Sequence, residues 1–305
     1  MCNRNFSPNQ IPNLAGKVIF ITGGTNGLGA QSALQLARHD AAHIYISGRN
    51  EKGAEKVIEQ IKETGTKTEV SFIKCDLASL SSVKEAAERF ISQVPRLDIL
   101  MCNAGIMATP PGLTSDGYEV QFGTNYVGHA LLIKKFLPLL QKTAKEVGDV
   151  RILLLTSEAL KMHPRGGIIF SDLKTVQSFA VGGSWQRYGQ SKLAVALYAR
   201  ELARRYPSIL SVSIHPGIVG TDLVGNCGVF NRVFLYMLAG GKLLAPEHGA
   251  YTQIWAATVP REDIENGHWY EPVGKLADHK LGGNKKNDVL SERLWNWTKE
   301  ELERY

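Results

Sequence analysis

The sequence predicts one α/β domain over residues 1–305, a doubly wound parallel sheet with helices on both faces. Three observations carry this reading. Short β-branched runs alternate with longer helical patterns through the first two-thirds of the chain. The strand runs are apolar throughout, the pattern of strands covered on both faces. No internal repeat and no linker rich in Pro, Gly or Ser divides the chain. Length alone would permit two domains, at roughly 150 residues each, but single α/β domains of this size are common.

Val18-Ile-Phe-Ile21 is the first strand, and Leu28 to His39 follows as a helix. Ile44-Tyr-Ile46 is the second strand. After it Ala54, Val57, Ile58 and Ile61 fall on one helical face, and Gly65 ends that run. Val70 to Cys75 makes the third strand, Ser82 to Ile91 the third helix and Leu97 to Cys102 the fourth strand. A long helix is expected from Asp116 to about Lys145, bent at Pro138, whose nitrogen cannot donate to the ladder. Val150 to Leu155 is the fifth strand, Trp185 to Tyr206 a helix and Ser211 to Ile214 a sixth strand. This order argues for a parallel sheet.

Composition excludes several classes. The 305 residues are 44% apolar and 21% charged, with a mean hydropathy of −0.13, which rules out disorder. The 30 Gly and 12 Pro follow no period. Lys+Arg 35 against Asp+Glu 29 gives +6, but the basic residues form no block, so no nucleic-acid partner is expected. Cys2, Cys75, Cys102 and Cys227 form no CxxC pair and read as reduced thiols of a cytoplasmic protein. The first residues carry no apolar signal-peptide core. The apolar stretch Val233 to Gly241 is far short of the ~20 residues that span a bilayer, so no transmembrane segment is read. His129, His215, His248 and His268 have no ligand spacing, and no metal is assigned.

Three constellations carry chemistry. Thr22-Gly-Gly-Thr-Asn-Gly27-Leu-Gly29 sits between the first strand and the first helix. Glycines there let backbone N–H groups approach a pyrophosphate, and the helix N-terminus adds partial positive charge. This makes the sheet a Rossmann-type one. In Tyr188-Gly-Gln-Ser-Lys192 the tyrosine and lysine project from one helical face. An ammonium beside a phenol favours the phenolate, lowering its pKa from about 10 by ~1–3 units toward general acid–base work. Ser157 follows the carboxyl end of the fifth strand, where ligands bind in open α/β sheets; there it can donate to a substrate oxygen or cap a turn.

Together Thr22-Gly23-(x)3-Gly27-x-Gly29, Asp76-Leu77, Asn103-Ala-Gly105, Asn125, Ser157, Tyr188-(x)3-Lys192 and Pro216-Gly217 resemble, in order and spacing, the short-chain dehydrogenase/reductase family. The likeness runs from about Leu14 to Thr221. Gly48-Arg49-Asn50, the Ser-Asp-Gly-Tyr-Glu run at 115–119 and Tyr-Gly-Gln-Ser-Lys make it most similar to the branch of retinol dehydrogenases and WW-domain oxidoreductases. Cys102 stands where many members have Asn. The resemblance implies that Tyr188 exchanges a proton with substrate, Lys192 tunes it and holds the nicotinamide ribose, and Ser157 holds the substrate oxygen. It implies that Asn125 bends its helix and helps seat a water. It further implies that the cofactor is held by Gly23, Thr25, Asn26, Gly27, Leu28, Gly29, Arg49, Asp76, Leu77, Asn103, Ala104, Gly105, Tyr188, Lys192, Pro216, Gly217, Val219 and Thr221. Relatives commonly pair through the long helix after Asn103 and the Tyr188 helix, so a homodimer or homotetramer is expected.

Cofactor choice can be argued physically. A carboxylate ending the second strand would bind the ribose of NAD, but this chain has Gly48 and then Arg49, whose guanidinium matches a phosphate. NADP(H) is therefore expected over NAD(H). The long segments 159–184 and 222–245 are expected to close over substrate, with Val229, Phe230, Val233, Phe234, Leu235, Tyr236, Met237 and Leu238 as an apolar lid or a core helix. His163 and Trp185 are candidate pocket residues. The expected function is NADP(H)-dependent hydride transfer on a lipophilic alcohol or carbonyl substrate. The alternatives are a non-catalytic dinucleotide-binding sensor and an epimerase or dehydratase using the same Tyr/Lys pair.

Overall fold

Eight strands build one sheet in the order β3-β2-β1-β4-β5-β6-β7-β8. They are β1 (Val18–Thr22), β2 (His43–Gly48), β3 (Glu69–Lys74), β4 (Ile99–Cys102), β5 (Val150–Leu155), β6 (Ile209–Ile214), β7 (Trp269–Glu271) and β8 (Lys275–Leu276). All neighbours pair in parallel except β7 and β8. The computed structural model describes residues 6–221, 225, 228–281 and 284–305. Cys2, Cys227 and residues 222–224 and 226–227 of the expected lid lie outside them.

The apolar strand runs sort helices to both faces. α1 (Gly27–Ala37), α2 (Glu51–Glu63) and a later helix, α9 (Tyr251–Thr258), cover Ile19, Ile21, Ile44 and Ile46. α3 (Leu80–Ile91), α5 (Gly128–Val147) and α6 (Gly183–Arg205) cover the other face, where Phe20, Phe90 and Phe136 pack edge to face. Phe20, between them in sequence with Ile19 and Ile21, points to the opposite side, as strand alternation requires. β1 connects to β2 on one side and lies against β4 on the other, so the chain direction across the sheet reverses between β1 and β4. Ligands bind at such a reversal, outside the carboxyl ends.

One expectation is corrected. The long helix begins at Val120 and not at Asp116: α4 (Val120–Phe122) leads into a π turn (Gly123–Val127) and then α5. Asp116 is used elsewhere, accepting from the Leu80 N–H at 2.8 Å, while Glu119 caps α4 by accepting from Phe122 N–H at 2.6 Å. One face of α6, a helix expected to pair between subunits, carries a helix of its own chain. α10 (Asn284–Glu301) lies along α6, with Leu294 buried and Trp295 stacked on Tyr198 at 5.4 Å. Trp297 meets Phe122 edge to face, Tyr126 Oη and Thr298 Oγ1 are 2.5 Å apart, and Tyr118 Oη donates to Glu301 at 2.7 Å. Before α10 come α7 (Val229–Leu238) and α8 (Pro246–Gly249). Among the described residues no helix is long and apolar enough to cross a membrane.

Candidate active site

A cleft of about 960 Å³ opens at the carboxyl ends of the central strands. At one end is the turn after β1. Asn103 Nδ2 donates to the Thr22 carbonyl at 2.8 Å, and Thr22 Oγ1 accepts the Ala104 N–H at 3.0 Å, so β1 and β4 are tied where their loops diverge. Gly23 and Gly27 take φ of +66° and +55°, the left-handed region that favours glycine. A Cβ on Gly29 would strike the Gly23 carbonyl and Asn103 Nδ2, so the residue brings α1 against the turn from behind. The cradle of N–H groups at a helix N-terminus fits the phosphates of a dinucleotide.

Gly23, Thr25, Asn26, Gly27, Leu28, Arg49, Asp76, Leu77, Asn103, Ala104, Gly105, Tyr188, Lys192, Pro216 and Thr221 all line this cleft. Gly29, Gly217 and Val219 stand behind its wall. Arg49 is exposed at the rim, and no described residue makes an ion pair or hydrogen bond with its side chain. A Cβ on Gly48 would lie 3.1 Å from Thr25 Cγ2, so the turn passes close over the end of β2.

Tyr188 and Lys192 are both buried on α6 at the far side of the cleft. Lys192 Nζ lies 5.7 Å from the Tyr188 ring centroid and donates to the Leu155 carbonyl at 2.8 Å. Burial pulls the Lys192 ammonium down to about 8. A Cβ on Gly105 would lie 3.1 Å from Asn125 Oδ1 and 3.4 Å from Lys192 Nζ, so the loop after β4 runs against both.

Asn125 and Ser157 sit differently from Tyr188: neither lines the cleft. Asn125, in the π turn, is buried; its Oδ1 accepts from Ile106 N–H at 2.8 Å, and its Nδ2 donates to the Ile106 carbonyl and to Ser191 Oγ, each at 2.9 Å. Ser157 opens a 3₁₀ turn (Glu158–Met162), its Oγ accepting from Ala159 N–H at 3.2 Å. Gly189 lets α6 approach that turn, for a Cβ there would meet the Ala159 carbonyl at 2.7 Å. His163 is outside the cleft, its Nδ1 2.8 Å from the Pro164 carbonyl. Trp185 packs edge to face on Tyr188 at 6.0 Å and donates Nε1–H to Asn231 Oδ1 at 3.0 Å. Of the expected lid stripe, Leu235 is buried beside Ala108, Trp185 and Tyr188, whereas Val233, Tyr236 and Met237 face outward.

The structure adds residues the sequence reading missed. Arg187, beside Tyr188, is buried with its Nε 3.3 Å from Glu119 Oε1, and its Nη atoms donate to the Gln177 and Thr109 carbonyls at 3.1 Å. It thereby joins three segments around the cleft mouth, far apart in sequence. An arginine on the same helix as an apolar Trp185/Tyr188 face was the one available signal. Among the described residues no cluster of His, Cys, Asp or Glu could hold a metal.

The chain is similar to known proteins along most of its length. A family model described as "short chain dehydrogenase" matches residues 17–171. An uncharacterized oxidoreductase of Schizosaccharomyces pombe is 40% identical over 302 residues, 95% of this chain and 86% of that protein. Retinol dehydrogenase 12 of Mus musculus is 34% identical over 291 residues, 94% of this chain and 85% of that one. Among solved structures, an uncharacterized protein from Mycobacterium Paratuberculosis superposes with a TM-score of 0.73 at 27% identity, covering 98% of this chain and 97% of that one.

Proposed function

The chain belongs to the short chain dehydrogenase family, and from that premise we propose that it transfers a hydride between NADP(H) and a lipophilic alcohol or carbonyl compound, with Tyr188 as the general acid–base. Membership makes it an oxidoreductase that binds a nicotinamide dinucleotide and acts on a small molecule. The observation that carries the finer reading is the placement of buried Tyr188 and Lys192 in the cleft whose other end is the glycine turn.

Bound NADPH would supply the hydride. In the reductive direction Tyr188 gives its phenolic proton to the substrate oxygen, and in the oxidative direction it takes one from the alcohol. Lys192, protonated below about 8, favours the phenolate and also holds the nicotinamide ribose. Ser157, directly after the cleft-lining Thr156, steadies the substrate oxygen once its Oγ turns from Ala159 N–H toward the cleft, and Asn125 holds the loop after β4 against α6. The small apolar cluster of Ala108, Trp185, Tyr188 and Leu235 keeps water from the reacting atoms and supports a lipophilic substrate. The mouse relative's name, a dehydrogenase of the apolar alcohol retinol, agrees with that class.

Gly48 offers no carboxylate to a free ribose, and Arg49, exposed at the rim with no ion pair among the described residues, supports a 2′-phosphate there, hence NADP(H) over NAD(H). Free Cys75 and Cys102 support a reducing compartment, the cytoplasm. α10 covers one face of α6, which favours a monomer over the expected pairing through that face. The deciding experiment follows reduced-nicotinamide absorbance over a panel of apolar ketones, aldehydes and alcohols with both cofactors. Turnover with NADPH on at least one pair is expected. Tight cofactor binding without turnover on any would make the chain a sensor.

A further inference from the structure

His129 stands on the first turn of α5, buried, and uses both ring nitrogens. Its Nδ1 lies 2.9 Å from the main-chain carbonyl of Asn125, and its Nε2 lies 2.9 Å from Thr22 Oγ1. The carbonyl can only accept, so Nδ1 carries the proton. In the neutral ring Nε2 then has a lone pair, and Thr22 Oγ1–H donates to it. The same hydroxyl accepts the Ala104 N–H at 3.0 Å. Three hydrogen bonds of one polarity therefore run from the loop after β4, through the last residue of β1, to the π turn.

That chain joins the nucleotide end of the cleft to the π turn that backs its catalytic end. Thr22 and Ala104 line the nucleotide end, and Gly23 follows Thr22 directly. Asn125 bonds through its side chain to Ser191, the residue before Lys192. We propose that His129 is a positioning residue that couples the nucleotide-binding turn to the Asn125–Lys192 end of the active site. The proposal rests on the oxidoreductase reading above.

A role as proton carrier fits less well. Burial pulls the ring down to about 4, and the charged group that faces it, Lys192, works in the same direction. Protonating Nε2 would also force the Thr22 hydroxyl to turn away, toward the Met101 carbonyl at 3.4 Å. A neutral imidazole held by two fixed partners orients its neighbours and does not itself titrate near neutrality.

The two halves of the ring can be tested separately. His129→Asn keeps an N–H near the Nδ1 position but does not reach Thr22, and His129→Gln reaches Thr22 but abandons the Asn125 carbonyl. Thr22→Val removes the hydroxyl and keeps the shape. Three quantities are measured for each: NADPH affinity by tryptophan quenching without substrate, kcat at saturation, and the thermal midpoint. His129→Gln should lower kcat by about tenfold with NADPH affinity within about twofold of wild type. His129→Asn and Thr22→Val should instead weaken NADPH several-fold, the size of one lost hydrogen bond, with a smaller effect on kcat. The pH–rate profile should keep its shape in all three. Losses of affinity and kcat that merely follow the thermal midpoint, alike in all variants, would reduce His129 to packing. Disappearance of one limb of the profile in His129→Gln would make it a proton carrier and overturn the proposal. If the wild type turns over nothing, the enzyme reading fails, while the affinity contrast among the variants still decides the coupling. Thr22→Val, the mildest change, keeps the test available should a histidine variant not fold.

Discussion

Lys192 is buried at the cleft wall and donates to the Leu155 carbonyl, and burial pulls its ammonium down to about 8. Tyr188→Phe should cut turnover by the ~10²–10⁴ expected for losing a general acid–base group, with NADPH binding retained. Near wild-type turnover would remove Tyr188 from the mechanism. The cofactor preference can be tested at two neighbouring residues. A charge-assisted contact contributes roughly 1.5–3 kcal/mol, so Arg49→Ala should weaken NADPH about 10- to 150-fold and leave NADH nearly unchanged. Equal weakening of both would show that Arg49 is structural. Gly48→Asp should swing preference toward NADH, but its Cβ lies 3.1 Å from Thr25 Cγ2, so Thr25 must give way and overall affinity should fall as well. The pair Tyr188 and Lys192 was legible in the sequence because four residues make one helical turn. Arg187 with Glu119 was not, because their meeting depends on how three loops fold over α6.

Helix α6 owes its reach to a missing side chain. Gly189 faces the 3₁₀ turn that begins after Ser157, and every atom a Cβ would meet there is backbone. Gly189→Ala should push the Ser157 segment away by a few tenths of an ångström or more. Turnover should fall at least ~10-fold, since small misplacements near reacting groups cost that much, while NADPH affinity stays near wild type. An unchanged kcat would show that Ser157 is not a partner in the reaction. The strand–helix alternation through β6 was legible because long apolar runs and helical stripes have distinct periods. β7 and β8 were not: three and two residues are too few to show any period. The late start of α4 was hidden because Asp116 resembles a helix cap in sequence, whereas its carboxylate serves Leu80 and Tyr305 across the fold.

At the scale of the molecule, α10 closes a face that α6 and the π turn would otherwise offer. Sedimentation at micromolar concentration should show a monomer, and a stable dimer would mean that another face associates. Leu294→Ala should cost ~2–5 kcal/mol of stability, as for a fully buried leucine. Acid should loosen the whole. Burial pulls both His129 and His215 down to about 4, below the ~6.5 of an unfolded chain. Between those values the unfolded chain binds more protons, so stability is present above pH ~6.5 and falls as pH drops toward 4, by about 1.4 kcal/mol per unit for each histidine. Urea midpoints at about pH 7.5, 6 and 5 should decline in that order, and a flat series would contradict the burial argument.

The strap across α6 and the π turn also has a consequence for synthesis. A ribosome releases α6 well before it reaches Leu294, Trp295 and Trp297, yet the aromatic surface of Tyr126 and Tyr198 waits for those residues. The growing chain must carry that greasy seam open to solvent until α10 emerges. Messages that stop ahead of codon 284 should therefore yield a product that chaperones retain or that self-associates through the bare seam.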